Sequence, residues 1–365
     1  MPYGILAADQ IQTSTTGVSL GAGNATRFKN RIINGAMVID QRNAGASVTP
    51  SADTYLLDRW AYSASQTSKF AWQQNKGSVT PPTGFINYLG GSVASAVTIG
   101  SSDYFALYQK IEGLNTADLG WGTANAKTVT LSFQVYSSLT GTFGGTICNS
   151  TNNRCYPFTY TISSANTWTS ISITIAGDTS GTWLTTNGTG INLQFGLGVG
   201  STYSGTAGSW SGTQYISATG ATSVVGTNGA TFYITGVQLE VGSFATGFEY
   251  ADYTTQLLMC QRYYQKFIAG SPYGTFGIGR GDGGTGPLVS VPYMATMRAA
   301  PTVSQSNTAI NTPSQLPVSS ISSVNMGIDH GSVIPVASGN VGAGAACAWL
   351  GNNNSSAYVD LSSEL

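Results

Sequence analysis

Charge is what this chain has least of. Of 365 residues only 14 are Lys or Arg and 15 are Asp or Glu, a charged fraction of 8%, where an average soluble domain carries about 25%. The net charge is −1, and no stripe of basic residues is available to displace counterions from a phosphate backbone, so nucleic acid is set aside as a partner. Histidine is nearly missing too. Ser-His-Asp or Cys-His catalysis would have to run through His330, which sits in Met326-Gly327-Ile328-Asp329-His330-Gly331, and no Gly-x-Ser-x-Gly elbow points to a nucleophile. A surface or loop histidine is the expectation. The four cysteines, Cys148, Cys155, Cys260 and Cys347, make neither a CxxC pair nor a cluster of zinc-site spacing, so no metal or cofactor is expected. No window reaches the roughly 18 consecutive apolar residues of a membrane span. Residues Met1 to Asp9 lack both the basic and the long apolar region of a secretory leader. The expectation is a cytoplasmic product with no membrane insertion, in which Cys148 and Cys155 stay as thiols, although they flank the turn Asn149–Arg154, where a hairpin disulfide is geometrically possible.

What the chain does have is glycine, 47 residues of it, with apolar residues at 41% and aromatics at 11%. That apolar content fills about two ordinary cores at roughly 150 residues each. Residues 1–29 are rich in Gly, Ser, Thr and Gln and cannot bury a core alone. Ile5, Leu6, Ile11, Val18 and Leu20 are nevertheless more apolar than a solvated linker needs, so this stretch reads as an arm that docks on a partner. Strand candidates begin at Arg31–Arg42 and Leu57–Tyr62. Strict period-two alternation follows in Lys127–Tyr136, with Val, Leu, Phe and Val on one face and Thr, Ser and Gln on the other. Comparable runs occupy Tyr156–Ile162, Thr169–Ile175, Ile191–Leu197 and Thr231–Glu240, separated by Gly, Asn, Ser and Asp turns. Short antiparallel strands at this spacing predict a β-sandwich or jelly roll over residues 30–250. The one helix candidate is Asp252–Lys266, capped by a Thr or Asp, within a linking segment at 251–270. Residues 271–365, with strand candidates at Pro287–Tyr293 and Tyr358–Leu361, predict a smaller C-terminal β-domain. The fold class is therefore all-β: arm, jelly roll, short linking helix and second β-domain.

Few groups suit catalysis. Glycan hydrolysis needs two carboxylates, and Glu112, Glu240 and Asp178 all stand near strand edges, yet turns and ion pairs account for most acids here. Gly277-Ile278-Gly279-Arg280-Gly281-Asp282-Gly283-Gly284 lacks the GK[ST] of a phosphate loop and reads as a flexible loop. Its Arg-Gly-Asp tripeptide is what a Gly-rich chain produces by chance, and Asp178 and Asp282 lack the spacing of a calcium loop. The informative excess is aromatic. Trp168, Trp183, Tyr203, Trp210 and Tyr215 lie in or beside Gly/Ser/Thr/Asn-rich segments, and Tyr273, Tyr293, Trp349 and Tyr358 accompany the turn-rich C-terminal domain. Exposed rings stack on sugar faces while neighbouring amides and hydroxyls bond the sugar hydroxyls. Trp168, Trp183, Tyr203, Trp210, Tyr215, Tyr273 and Trp349 are the carbohydrate-binding candidates, with end-plugging of the sandwich as the competing role for each.

The run Asn30–Arg42 followed by Leu57-Asp58-Arg59-Trp60 resembles the opening of tailed-bacteriophage virion proteins, chiefly tail-fibre-like and receptor-binding proteins. Tyr108–Gly113, Thr130–Phe133, Phe232–Gly242 and Ala245–Glu249 look like the jelly roll that these proteins share with carbohydrate-binding modules. Cys260–Tyr264 and Val291–Pro301 resemble the segment joining that jelly roll to a variable C-terminal domain. The resemblance implies a non-enzymatic virion protein in the phage tail, a homotrimer. Its arm, through Ile5, Leu6, Ile11, Val18 and Leu20, would meet other tail or baseplate proteins. The C-terminal domain would be the distal tip, and the partner beyond the particle a host cell-surface polysaccharide. No β-helix repeat of the depolymerase spikes is present. The alternatives are a structural adaptor or decoration protein without receptor binding, and a glycan hydrolase.

Overall fold

The computed structural model describes residues 29–51, 53–312 and 314–365; the five apolar arm residues from Ile5 to Leu20 lie outside them. From residue 54 to residue 241 the chain forms β1 (Thr54–Leu57), β2 (Trp60–Ala64), β3 (Phe70–Gln74), β4 (Leu89–Val93), β5 (Tyr104–Glu112), β6 (Val129–Ser137), β7 (Gly141–Cys148), β8 (Cys155–Ile162), β9 (Thr169–Ile175), β10 (Thr189–Val199), the short β11 (Ser204–Gly205) and β12 (Ser217–Ala218), and β13 (Thr231–Val241). Two antiparallel sheets result, one of order β1-β2-β5-β10-β7-β8 and one of order β3-β4-β13-β6-β9. The apolar side of each alternating strand faces the other sheet. Phe133 of β6 meets Tyr160 of β8 and Phe195 of β10 edge-on, with ring centroids 5.1 Å away in both cases. The predicted jelly-roll sandwich is therefore present. Alternation in β13 is reset once: the register shifts between Thr235 and Gln238, where Gly236 takes φ 62° and a Cβ would come within 2.6 Å of the Phe85 ring. That bulge lets Ile234 and Val237 both face the core.

Two early strand candidates are corrected. Residues 31–42 form no strand; turns run from Ile33 to Ala36, Arg31 and Gly35 pair with β13, and the buried Asn34 bonds both ways with Ile39. Residues 57–62 contain a hairpin turn, because Arg59 adopts φ 69°, a conformation that separates β1 from β2.

The helix α1 spans Tyr253–Gln261, with the Asp252 side chain accepting from the Thr255 amide. It stops before the predicted end, and the next residues form β14 (Tyr264–Ile268). The C-terminal domain continues with β15 (Thr275–Arg280), β16 (Leu288–Pro292), β17 (Thr302–Ser306), β18 (Thr308–Asn311), β19 (Gln315–Met326), β20 (His330–Ala337), β21 (Ala346–Gly351) and β22 (Tyr358–Ser362). Six of these close into a barrel, β15-β16-β20-β19-β18-β21, and β14-β22-β17 make a separate sheet. Gly277 to Arg280, expected to be a loop, are part of β15, paired to both β16 and β21. The two domains meet along a seam in which Ile33 and Ile39 pack against Cys260 and Tyr263 and polar contacts lie beside this apolar cluster. Glu112 at the end of β5 accepts from Arg262 Nε and Nη2 at 2.9 and 2.6 Å and from the Tyr263 hydroxyl at 2.6 Å. Glu364 pairs with Arg42 and Arg59, and Arg298 reaches both Ser363 and Asn187. Residues 363–365 thus return to the jelly roll.

Candidate functional site

The two sheets present different outer surfaces. Over the six-stranded sheet, β12 lies against β7, β8 and β10. The Thr146 hydroxyl donates to the Tyr215 carbonyl at 3.2 Å, and Thr146, Asn192 and Gln194 on the covered face are buried. A Cβ on Gly144 or Gly196 would strike the Ser217 side chain, so the roof sits directly on the strands. Among the described residues the five-stranded sheet has no such cover along Ser132, Gln134, Ser170 and Ser172, which are half-buried or exposed.

An aromatic ladder crosses that open face. Tyr136 of β6 and Tyr233 of β13 are register partners and their rings stack at 5.2 Å and 6°; Tyr88 stacks on the far side of Tyr233 at 5.1 Å. Trp168 spans the ladder, 5.4 Å from Tyr88 and 5.5 Å from Tyr136, and its indole N–H donates to the Thr80 carbonyl at 2.8 Å. The ring is therefore held from below and tethered at its edge, yet remains half exposed. Gln134 and Ser170 stand beside it, hydrogen-bonded to each other at 2.7 Å. The Tyr88 hydroxyl donates to the Lys76 carbonyl at 2.5 Å and accepts from the Val79 amide at 2.9 Å. Burial raises the Tyr88 and Tyr233 hydroxyls above the usual tyrosine range, so both stay protonated at neutral pH. Around the ring the surface offers hydroxyls and an amide, and Lys76 lies over Gly90 beside Tyr233.

The other candidate residues fall elsewhere. Trp183 and Trp210 come together with Trp121, with centroids 4.7 to 5.4 Å apart and planes 76° to 81° from one another. Each indole N–H is spent on a backbone carbonyl: Lys127, Ser180 and Ala176 for Trp121, Trp183 and Trp210. This trio packs against the main core and closes the sandwich. Tyr203 is edge-on to Tyr104 at 5.7 Å, and Tyr215 lies on Gly205 within the roof. Tyr273 is 53% exposed in the turn between β14 and β15. Trp349 is a correction: it is fully buried as the largest side chain in the barrel core, because it stands on the inner face of β21 and packs against Phe276.

Sequence reasoning missed Tyr88, Tyr136 and Tyr233. The signal was available for two of them, since Tyr136 and Tyr233 occupy outward positions of strands whose inward positions are aliphatic or Phe.

Cys148 and Cys155 form a disulfide, which corrects the expectation of two thiols: they are directly opposed across β7 and β8. The three carboxylates considered for hydrolysis are each committed. Asp178 pairs with Arg154 at 2.7 Å, and Glu240 accepts from Gln238 and from the amide and hydroxyl of Thr246. Burial would raise Glu112, but the bonds from Arg262 and Tyr263 outweigh it and hold the carboxyl below its ordinary value. His330 is exposed beside Asp329. Among the described residues no three His, Cys, Asp or Glu side chains converge on a metal position, and no helix is long and apolar enough to cross a membrane.

No protein-family model matches the chain, and no curated protein sequence does. Solved structures to which the chain is similar include the enzymatically active domain of tailspike protein 4 from bacteriophage CBA120, at 12% identity and TM-score 0.33, covering 59% of this chain and 22% of that one. A putative sugar-binding protein from Bacteroides thetaiotaomicron matches at 12% identity and TM-score 0.31, over 58% of this chain and all of that one. The family 11 carbohydrate-binding module of Clostridium thermocellum, in complex with a β-1,3-1,4-mixed-linked tetrasaccharide, matches at 12% identity and TM-score 0.28, over 54% and 97%. The chain spans about a fifth of the tailspike chain.

Proposed function

We propose that this chain is a non-enzymatic structural protein of a tailed-phage virion, a tail fibre or similar, which holds host-surface polysaccharide on the open face of its jelly roll. The observation that carries the sugar site is Trp168, a half-exposed indole backed by Tyr88 and Tyr136 and flanked by Gln134 and Ser170. A rigid ring loses little entropy on binding, and neighbouring neutral hydrogen-bonding groups match sugar hydroxyls. The virion setting rests on the resemblance of Asn30–Arg42, Leu57–Trp60 and Phe232–Gly242. With it come a homotrimer, favoured by a sparsely charged surface, and an arm that meets tail or baseplate proteins.

Replacing Trp168 by Ala tests the site. One stacked ring contributes about 1–3 kcal/mol on other planar faces, so affinity for host polysaccharide falls about tenfold while circular dichroism is unchanged. Unaltered affinity moves the site off this face. Release of reducing sugar by the intact protein would overturn the non-enzymatic reading, and a monomer by light scattering would overturn the trimer.

A further inference from the structure

The sequence has three Asn-Gly pairs, Asn34-Gly35, Asn187-Gly188 and Asn228-Gly229. In this dipeptide the main-chain nitrogen after the asparagine meets no Cβ obstruction on its way to the side-chain amide carbon. The structure treats the three differently. Asn34 is fully buried, and its side chain bonds Ile39 in both directions and the Asp58 carbonyl, so its amide is locked. Asn228 is exposed, but the Gly229 N–H donates to the Val93 carbonyl at 3.0 Å and its nitrogen is occupied. Asn187 is exposed on the loop before β10, and among the described residues the Gly188 N–H has no acceptor.

A second contact sets this pair apart. The Arg298 guanidinium donates through Nη1 to the Asn187 carbonyl at 2.9 Å, and the Asn187 Nδ2 donates back to the Arg298 carbonyl at 3.1 Å. Arg298 is itself fixed, with Nε on the Ser363 carbonyl and Nη2 on the Glu364 carbonyl. The Asn187 carbonyl and the Gly188 nitrogen belong to one delocalised peptide unit, so a cation held on that oxygen makes the nitrogen more acidic. Once the proton leaves, negative charge gathers on the oxygen that the guanidinium already holds, and the bond strengthens because both partners are then charged. We propose that Asn187-Gly188 is a self-modifying site at which Arg298 activates the Gly188 nitrogen. That nitrogen attacks Asn187 Cγ and closes a succinimide ring; the Cγ–Nδ2 bond breaks, and ammonia leaves with the proton that the Gly188 nitrogen gave up. Water then opens the ring to an aspartyl or an isoaspartyl linkage. Either product undoes the clasp. A carboxylate has no N–H for the Arg298 carbonyl, and the isoaspartyl form adds a main-chain carbon that carries the carbonyl of position 187 away from Nη1. The seam between the domains thus holds a slow, one-way chemical clock.

The test incubates the full chain in mildly alkaline buffer and follows the three Asn-Gly peptides by mass spectrometry, with isoaspartyl methyltransferase labelling as a second readout. Conversion at Asn187 should run at least about tenfold faster than at Asn34 or Asn228, and Arg298→Gln should slow it by about tenfold while leaving the other two unchanged. A purely mechanical clasp gives the opposite result, since freeing the loop quickens conversion. An unchanged or faster rate in Arg298→Gln therefore overturns the proposal. Because Arg298 also holds Ser363 and Glu364, the unaltered protein supplies an independent measurement. In urea the three pairs should converge to similar rates, whereas folding should slow Asn34 and Asn228 and leave Asn187 at least as fast as in urea. A folded Asn187 that converts more slowly than the unfolded one would show restraint in place of activation and overturn the assignment.

Discussion

The jelly roll and the barrel fill their interiors in opposite ways. Between the two large sheets, rings from many strands share the core: Trp60, Phe70, Trp72, Phe105, Phe133, Phe143, Phe158 and Phe195 are all buried there. The barrel is lined by Val289, Val291, Ile310, Val333 and Ala337 around one tryptophan, with Phe276 6.1 Å from its ring. A sandwich can redistribute the loss of one ring among neighbours. A small closed barrel cannot, because its strands are tied into a circle and do not collapse inward independently. Trp349→Ala is accordingly the most damaging single change expected, at about 3–5 kcal/mol. Chemical denaturation of this variant, whose remaining tryptophans all lie in the jelly roll, should show an early transition of the C-terminal domain by far-ultraviolet circular dichroism ahead of the jelly-roll transition seen by tryptophan fluorescence. A single transition at a lower midpoint would mean that the seam at Glu112, Arg262 and Glu364 couples the domains into one unit, and an unshifted one would overturn the expected loss.

The domains also differ in covalent fastening. The jelly roll carries the Cys148–Cys155 link across β7 and β8, whereas Cys347 in the barrel and Cys260 at the seam are free and buried. Closing a loop of about eight residues stabilises by roughly 2.5 kcal/mol in the chain-entropy picture. Cys148→Ser with Cys155→Ser should lower the stability of the jelly roll by about that amount and leave the barrel transition in place, checked by the same two probes. An equal shift of both transitions would again favour a coupled molecule. Sequence left this bond open for a physical reason: pairing requires the two thiols to face one another, and that depends on a register visible only once Ile147 is set against Tyr156 and Thr146 against Pro157.

Where a strand is half-buried, its residues announce it. Val129 to Tyr136 and Thr169 to Ile175 alternate because one face meets the core, and both fall on observed strands. Legibility fails where burial is decided by distant parts of the chain. Ile32, Ile33 and Ile39 are as apolar as a strand but fold as a turn, since Asn34 finds its partners in Ile39 and Asp58. Gly277 and Gly279 look like loop glycines, yet β16 passes so close that a Cβ at either would meet the backbone of Ser290 or Leu288 within 2.3 Å. Aromatic residues were the hardest to place. Composition marks them as available for stacking, but only enclosure separates Trp349 from Trp168, and enclosure is a property of sheet order.

The smallest stability change, and the finest test of the contrast, lies between two tryptophans of the jelly roll. Trp210 touches Trp121, Trp183 and Tyr156 and bonds the Ala176 carbonyl next to the last residue of β9, so its removal opens a gap against the core. Trp168 rests on tyrosines that already satisfy each other by stacking, and its outer side faces solvent. An aromatic pair contributes about 0.5–1.5 kcal/mol beyond area burial. Trp168→Ala should therefore cost about 1 kcal/mol and Trp210→Ala two to three times as much, read as midpoints of urea unfolding at unchanged slope. Binding should follow the reverse order: both rings are half-buried, but Trp210 is held among three other rings while Trp168 lies across the tyrosine ladder beside amide and hydroxyl groups. If Trp168→Ala proves the more destabilising of the two, Trp168 belongs to the packing of the sheet and cannot serve as the platform of a sugar site.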